Sequence, residues 1–143
     1  GAYMFNIKEK RVASAELIDK AKQELQDIIS NVRGVNFVMV CSTDGFELAS
    51  LYKRDIYNKG KLAAVSSSIL AMVTAFTQEI HLTGCQSITL DAENGKVVLS
   101  AIPAKNHPMI IVAMADKDVL LGQLLYAIKK TTHAIKSADL ELI

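Results

Sequence analysis

Three histidines supply the side chains best suited to metal binding or to proton transfer near neutral pH. They are His81, His107 and His133, in three separate parts of the chain. None has a cysteine or carboxylate at a metal-ligand spacing such as that of His-Glu-x-x-His. The sequence therefore predicts no metal site, and we expect the three imidazoles to be exposed to solvent or loosely packed.

The hydroxyl groups and glycines are not arranged for catalysis either. Ser66-Ser67-Ser68 has no neighbouring base to activate a nucleophile, and no Gly-x-Ser-x-Gly sequence occurs. Gly60-Lys61-Leu62 lacks the further glycines and the hydroxyl of a phosphate-binding loop. Asp91 and Glu93 flank a predicted turn, where we expect solvated charges rather than an acid–base pair. We therefore expect a protein that is not an enzyme and needs no cofactor.

The composition is that of one folded domain without a strong charge. The chain has 143 residues, of which 50% are hydrophobic, and a formal net charge of +1. So nearly neutral a chain has no long-range attraction to nucleic acid or to anionic lipid. Cys41 and Cys85 stand in no paired motif and are predicted to be reduced thiols. No secretory apolar stretch precedes the first predicted helix, so a cytoplasmic location is expected.

Two helices are predicted towards the ends of the chain. Over residues 14–32 the apolar side chains recur at steps of three and four, with Ser14 as N-cap and Gly34 as the stop. A C-terminal helix is expected after Asp116 or Asp118, with close packing at Gly122. The predicted buried stripes are Leu17, Ile18, Ala21, Leu25, Ile28, Ile29 and Val32 in the first helix, and Leu121, Leu124, Leu125, Ile128, Thr132 and Ile135 in the last.

Five short segments have the pattern of β-strands. They are residues 35–41, 46–50, 87–92, 96–102 and 109–115. The first and the last are apolar on both faces, which indicates central strands, whereas 87–92 alternates and should bury one face. Asp44-Gly45 and Asn94-Gly95 predict two-residue hairpin turns, because these residues tolerate a positive φ.

The predicted order is therefore α-β-β-α-β-β-β-α. Tight hairpins make the five-stranded sheet mostly antiparallel, and helices on both faces give a three-layer α/β sandwich. We predict one domain over residues 14–137, an N-terminal extension over 1–13 and a C-terminal tail over 138–143. Gly1-Ala2-Tyr3 precedes a methionine and is expected to be an addition to the native chain.

The second helix, predicted over residues 62–82, has no charged residue from Leu62 to Gln78. Large apolar side chains on one side are expected to pack on the chain's own sheet: Leu62, Val65, Ile69, Met72, Phe76 and Ile80. The other side is small and uncharged, and it consists of Ala64, Ser67, Ser68, Ala71, Thr74, Ala75 and Gln78. Its serines, threonines and glutamine make the helix too polar for a membrane span. We expect a second subunit to cover this side; the alternative is a loop or the N-terminal segment.

The ordered set of these segments resembles the roadblock family, which includes dynein light chains and bacterial regulators of small GTPases. The similar pieces are residues 32–35, 38–46, 62–82, 93–96 and 110–115. The resemblance implies a profilin-like sheet with two helices on one side and the second helix on the other. It also implies a homodimer formed through the second helix and the third strand, with Ser87, Ile88, Thr89, Leu90 and Asp91 at the seam between two sheets.

Three functional hypotheses follow. The resemblance implies a regulator or scaffold that binds a Ras-like small GTPase, for example in cell polarity or motility; some bacterial members speed GTP hydrolysis by rearranging the GTPase's own residues. The extra length at both ends favours this bacterial type over a dynein-associated scaffold subunit. A profilin-like domain that senses a small molecule is the second hypothesis, and it predicts a stable monomer with a sizeable internal pocket. A small enzyme is the third.

Overall fold

The computed structural model describes residues 13–84 and 86–142, and these residues form helices and strands around one five-stranded sheet. In chain order the elements are α1 (Ala15–Asn31), β1 (Val35–Ser42), β2 (Glu47–Tyr52), α2 (Lys59–Glu79), β3 (Ser87–Ala92), β4 (Gly95–Ile102), β5 (Met109–Ala115) and α3 (Leu121–Glu141). The strands are antiparallel throughout and lie in the order β2-β1-β5-β4-β3. Helix α2 covers one face, and α1 and α3 cover the other. The predicted three-layer architecture is confirmed.

The two central strands divide the core into two layers. Because successive side chains of a strand point to opposite faces, Phe37, Met39 and Cys41 of β1 face α2, while Val38 and Val40 face α1 and α3. Strand β5 is likewise buried on both faces. The larger layer lies under α1 and α3, and the smaller one lies under α2.

Helix α1 follows its sequence pattern closely. The Ser14 side chain accepts a hydrogen bond from Leu17 N at 3.2 Å, as an N-cap does. The predicted stripe is buried at Leu17, Ala21, Leu25, Ile28 and Val32, with Ile18 and Ile29 partly buried beside it. Beyond the helix Gly34 has φ +95°, a conformation that reverses the chain into β1 and favours glycine.

The first hairpin forms, but its turn is longer than predicted. Gly45 N donates to Ser42 O at 3.0 Å, Ser42 N donates to Phe46 O at 2.8 Å, and Gly45 alone has a positive φ in this turn. The pairing of β1 with β2 then shifts by one residue after Val40. This bulged turn leaves Phe46 outside the strand and exposed.

The second hairpin also forms, with its turn displaced by one residue. Ala92 pairs with Gly95, so the loop residues are Glu93 and Asn94. Neither Asn94 nor Gly95 has a positive φ. A glycine is needed at 95 for another reason: a Cβ there would lie 2.9 Å from the Ala115 carbonyl oxygen of the neighbouring strand.

The start of α3 differs from the prediction. Neither predicted carboxylate caps it; Leu120 occupies the N-cap position without a side-chain hydrogen bond. Asp116 instead accepts a hydrogen bond from Asn36 Nδ2 at 2.8 Å. The expected close packing at Gly122 is wrong as well, since no atom lies within 4 Å of a Cβ built there.

The rest of α3 differs from the prediction in the register of its buried stripe and in its length. Thr131 rather than Thr132 joins the buried stripe, because it falls in line with Leu124, Ile128 and Ile135. The helix continues to Glu141 and buries two residues of the predicted tail, so the folded domain reaches past residue 137. At the other end Ala13 belongs to the core, while residues 1–12 of the predicted extension lie outside the described residues.

The end of α3 is tied to the β4–β5 loop by a buried carboxylate. Asp139 Oδ2 accepts a hydrogen bond from Asn106 N at 2.8 Å, and Asp139 Oδ1 lies 2.9 Å from His107 Nδ1. The side chain of Asp139 is 0% exposed. His107 is therefore firmly engaged, contrary to the expectation of a loose imidazole, whereas His81 and His133 are exposed.

Candidate functional site on the outer face of helix α2

Only a narrow side of α2 contacts the sheet. Ala63 and Ser66 are buried, and Leu62, Ile69 and Leu70 pack partly against the smaller core layer. The helix comes close to the first hairpin, where a Cβ on Gly45 would lie 3.2 Å from the Cα of Ala64. The Ser67 hydroxyl donates to the Thr43 carbonyl oxygen at the same place. Small residues on both sides thus hold α2 tightly on the sheet.

The charges of α2 are confined to its two ends. Asn58 caps the helix by accepting from Lys61 N at 3.1 Å. The Lys59 ammonium bonds Asp55 at 2.8 Å and lies 4.2 Å from the centroid of the Tyr52 ring. The hydrogen bond to Asp55 raises the pKa of Lys59. Between this first turn and Glu79 the helix is uncharged.

The small side of α2 lies where the sequence predicts it, away from the sheet. Ala64, Ser68, Ala71 and Ala75 recur at steps of three and four and form the line opposite the buried side. Thr74 and Gln78, which flank that line, are exposed too. Ser67 is half-buried because it bonds the first hairpin.

Of the large apolar side chains predicted to pack on the sheet, Leu62 and Ile69 do so in part, but the prediction is wrong for the other four. The exposed fractions are 45% for Val65, 65% for Met72, 64% for Phe76 and 49% for Ile80. The first three lie roughly 80–120° around the helix axis from Ser66, at 100° per residue. The small residues Ala63 and Ser66, which allow close approach to the sheet, are the signal that could have located the inner side.

Strand β3 is the second part of the site. In the described sheet it pairs with β4 on one side and is an edge strand on the other. Ile88 and Leu90 lie on the α2 side of the sheet, where Ile88 is half-buried and Leu90 is 46% exposed. The sequence predicts that one face of β3 is buried, and within this chain the face that carries Ile88 and Leu90 is buried only in part.

The polar side chains of β3 point to the opposite face. Ser87, Thr89 and Asp91 are exposed there. Asp91 Oδ1 lies 2.6 Å from Lys96 Nζ on the neighbouring strand. All twelve residues of the predicted interface are therefore on α2 or on the edge strand, and ten of them are exposed.

The chemically reactive groups near this site are buried or dispersed. The Cys41 thiol lies in the core layer beneath α2, and burial raises its pKa to about 12, so it is neutral at physiological pH. Cys85 lies outside the described residues. Within residues 13–84 and 86–142, no three His, Cys, Asp or Glu side chains group closely enough to hold a metal ion. The geometry suits contact with another macromolecule.

Length and composition alone would also let α2 cross a membrane, and it is the one helix in the described part of the chain with this property. In the structure, however, α2 is a layer of the sandwich with Ala63 and Ser66 against the sheet.

The family follows from comparison with known proteins. A model of the Roadblock/LC7 domain matches residues 21–114. The chain belongs to the Roadblock/LC7 family. A search of curated proteins gives no match.

Several solved structures share the Roadblock/LC7 fold of this chain. An MglB structure with a tetrameric arrangement is 16% identical, with a TM-score of 0.80, 92% of this chain covered and 96% of that one. Myxococcus xanthus MglB is 14% identical, with a TM-score of 0.81 and the same coverage. The gliding protein MglB of Thermus thermophilus is 15% identical, with a TM-score of 0.79, 91% of this chain covered and 95% of that one.

Proposed function

We propose that this Roadblock/LC7 protein is a non-enzymatic homodimer that binds a Ras-like small GTPase as a regulator or scaffold. The uncharged outer face of α2 is the observation that carries the dimer, and membership of the Roadblock/LC7 family supports the GTPase partner. A helix on the surface of a monomer normally presents charged side chains to solvent, whereas α2 presents Val65, Met72 and Phe76. A second protein surface would remove these side chains from water.

A second copy of the chain fits this face. Ala64, Ser68, Ala71 and Ala75 provide a line without bulky side chains, along which two α2 backbones can approach. Two-fold symmetry places the same patch on both subunits, so the large apolar side chains of each copy would flank the small line of the other.

The edge of β3 supports the same geometry. An open edge strand presents N–H and C=O groups that can pair with another strand. Pairing of β3 with its symmetry mate would join two five-stranded sheets and would bring Leu90, 46% exposed in one chain, next to the neighbouring subunit. The tetrameric arrangement of a similar MglB structure supports assembly among proteins of this fold.

The dimer can be tested by light scattering on the purified protein. We expect the wild type to have twice the chain mass of 15.6 kDa, and Ala71→Arg to have the mass of one chain, because a charge at the small line cannot be buried without a partner. Gln123→Arg, on the exposed side of α3, is the matched control and should remain dimeric. A monomeric wild type would contradict the proposed dimer.

The GTPase partner is tested separately. Ras-like GTPases loaded with GDP or with a non-hydrolysable GTP analogue would be titrated onto the immobilised dimer, and phosphate release would be followed with GTP. We expect tighter binding in one nucleotide state. A faster release of phosphate would indicate an activator, and an unchanged rate would indicate a scaffold. Absence of binding in both states would contradict the GTPase proposal while leaving the dimer untouched.

The small-molecule sensor is the less favoured hypothesis. It requires an enclosed pocket between sheet and helix. The groove of about 820 Å³ beside α3, on the other face of the sheet, is open rather than enclosed.

A further inference from the structure

A groove of about 820 Å³ runs between α3 and the β3–β4 edge of the sheet, on the face turned away from α2. Helix α3 forms one wall, while Ser87 and Ser100 of the paired strands lie on the other side. Leu125 and Ile128 give the groove an apolar floor. The groove is built by a single chain, and helix α2 contributes nothing to it.

The wall formed by α3 is basic. Lys129, His133 and Lys136 all line the groove, and their spacing of four and three residues places them along one side of the helix. The residues that line the groove include no carboxylate. The whole chain is nearly neutral, but this side of α3 is positively charged and attracts anions.

Two acidic groups on the elements that form the groove are already engaged. Asp91 shares the strand face of Ser87 but lies roughly 13 Å farther along β3, at 3.3 Å per residue, and it is bonded to Lys96. Asp139, at the end of α3, is buried against Asn106 and His107. The positive charge of the groove is therefore not cancelled locally.

The spacing of the lysines suits an elongated anion. The backbone positions of Lys129 and Lys136 are roughly 10 Å apart along the helix axis, at 1.5 Å per residue. Three or four residues of extended peptide cover that distance, so that two carboxylates can each pair with one lysine without the two lysine side chains converging. The apolar floor between the wall and the strands suits an aliphatic side chain placed between two acidic ones.

We propose that this groove binds an extended acidic peptide segment of a partner protein. Carboxylates of the segment pair with Lys129 and Lys136, and an aliphatic side chain rests on Leu125 and Ile128. Pairing of β3 with a second copy would use the edge of the strand and not its face. The groove therefore stays open in the proposed dimer, and its function does not depend on that dimer.

Fluorescence anisotropy with a labelled peptide tests the proposal. The probe is fluorescein-Gly-Glu-Leu-Glu-Glu-Leu-Glu, and the comparison peptide has glutamine at each glutamate. We expect saturable binding of the acidic probe, at least roughly tenfold tighter than the glutamine peptide, that weakens as salt screens the charges. The double variant Lys129→Glu, Lys136→Glu should weaken the acidic probe roughly tenfold or more, since two attractive pairs become repulsive.

Lys130 provides the matched control. It lies on the same helix and is exposed, but it does not line the groove. Lys130→Glu should change the affinity less than about twofold. Equal weakening by Lys130→Glu, equal binding of both peptides, or no binding at about 1 mM probe would each overturn the proposal. Displacement of the probe by inorganic phosphate at low millimolar concentration would also overturn it, because it would indicate a site for a compact anion.

The proposed dimer and the proposed peptide site can be contradicted independently of each other. Ala71→Arg should bind the acidic probe as the wild type does, because Ala71 lies on the opposite face of the sheet. Loss of probe binding in Ala71→Arg would contradict the assignment to α3. Retained binding in a monomeric wild type would leave the groove intact and the dimer disproved.

Discussion

Helices α2 and α3 are each 21 residues long, yet they bury very different sets of side chains. Helix α3 buries Leu124, Ile128, Thr131, Ile135, Ala138 and Asp139 and carries its lysines outside. Helix α2 buries only Ala63 and Ser66, and most of its outer side chains are apolar or small. Helix α3 therefore contributes a continuous stripe to the core of one chain, whereas α2 leaves most of its large apolar side chains exposed.

The largest difference should appear when apolar side chains of the two helices are truncated. Ile135 of α3 is 0% exposed and Met72 of α2 is 65% exposed. We expect Ile135→Ala to lower the free energy of unfolding by about 2–5 kcal/mol, through lost burial and a cavity. Met72→Ala should change it by less than about 0.5 kcal/mol. Urea unfolding in the Ala71→Arg background measures both without a contribution from dimer dissociation.

In the wild-type background Met72→Ala should have an additional effect, on the dimer. Met72→Ala should then weaken the dimer, which appears as a lower midpoint at low protein concentration, while leaving the monomer unaffected. If Met72→Ala destabilised the Ala71→Arg monomer as much as Ile135→Ala does, the outer face of α2 would be covered from within the chain, and the comparison between the helices would fail.

Carboxylates near the ends of the two helices give the next prediction. Asp139 is buried and accepts from the main chain of Asn106, whereas Glu79 at the end of α2 is exposed. Asp139→Ala should cost about 1.5–3 kcal/mol in the urea assay, because it removes hydrogen bonds of a buried carboxylate to Asn106 N and His107. Asp139→Asn keeps one acceptor oxygen and should cost less. Glu79→Ala should stay within about 0.5 kcal/mol; a larger loss there would reveal an unrecognised contact of α2.

Most of the fold was predictable because periodicity and turn residues report local geometry. The stripe of α1 with its Ser14 cap, the central strands and the three layers all follow from such patterns. The form of the turn at Gly45 and the start of α3 at Leu121 could not be predicted from such patterns. The turn depends on a bulge in the pairing of β1 with β2, and Asp116 bonds Asn36 instead of capping α3. Both are decided by tertiary neighbours. His107 illustrates the same limit, because its partner Asp139 is 32 residues away.

The candidate site was predictable in part for a related reason. The absence of charge in α2 can be read directly from the sequence, and it predicts the apolar and small outer side that the structure shows. Which side faces the sheet is harder to read, because large apolar residues suit both a core and a subunit interface. The sequence therefore locates Ala64, Ser68, Ala71 and Ala75 correctly on the outside, but it assigns Met72 and Phe76 to the wrong surface.

The smallest expected change in stability concerns Gly122, at the start of α3. Gly122 lies in the first turn, is exposed, and has no atom within 4 Å of a Cβ built on it. Its φ is not positive, so alanine fits the helix without strain. We expect Gly122→Ala to raise the free energy of unfolding by about 0.5–1 kcal/mol, chiefly because glycine loses more backbone entropy on folding. Gly45→Ala, at φ +94° and close to Ala64, should have the opposite sign in the same assay. If Gly122→Ala lowered the free energy of unfolding, the start of α3 would have to pack closely against a surface other than residues 13–84 and 86–142.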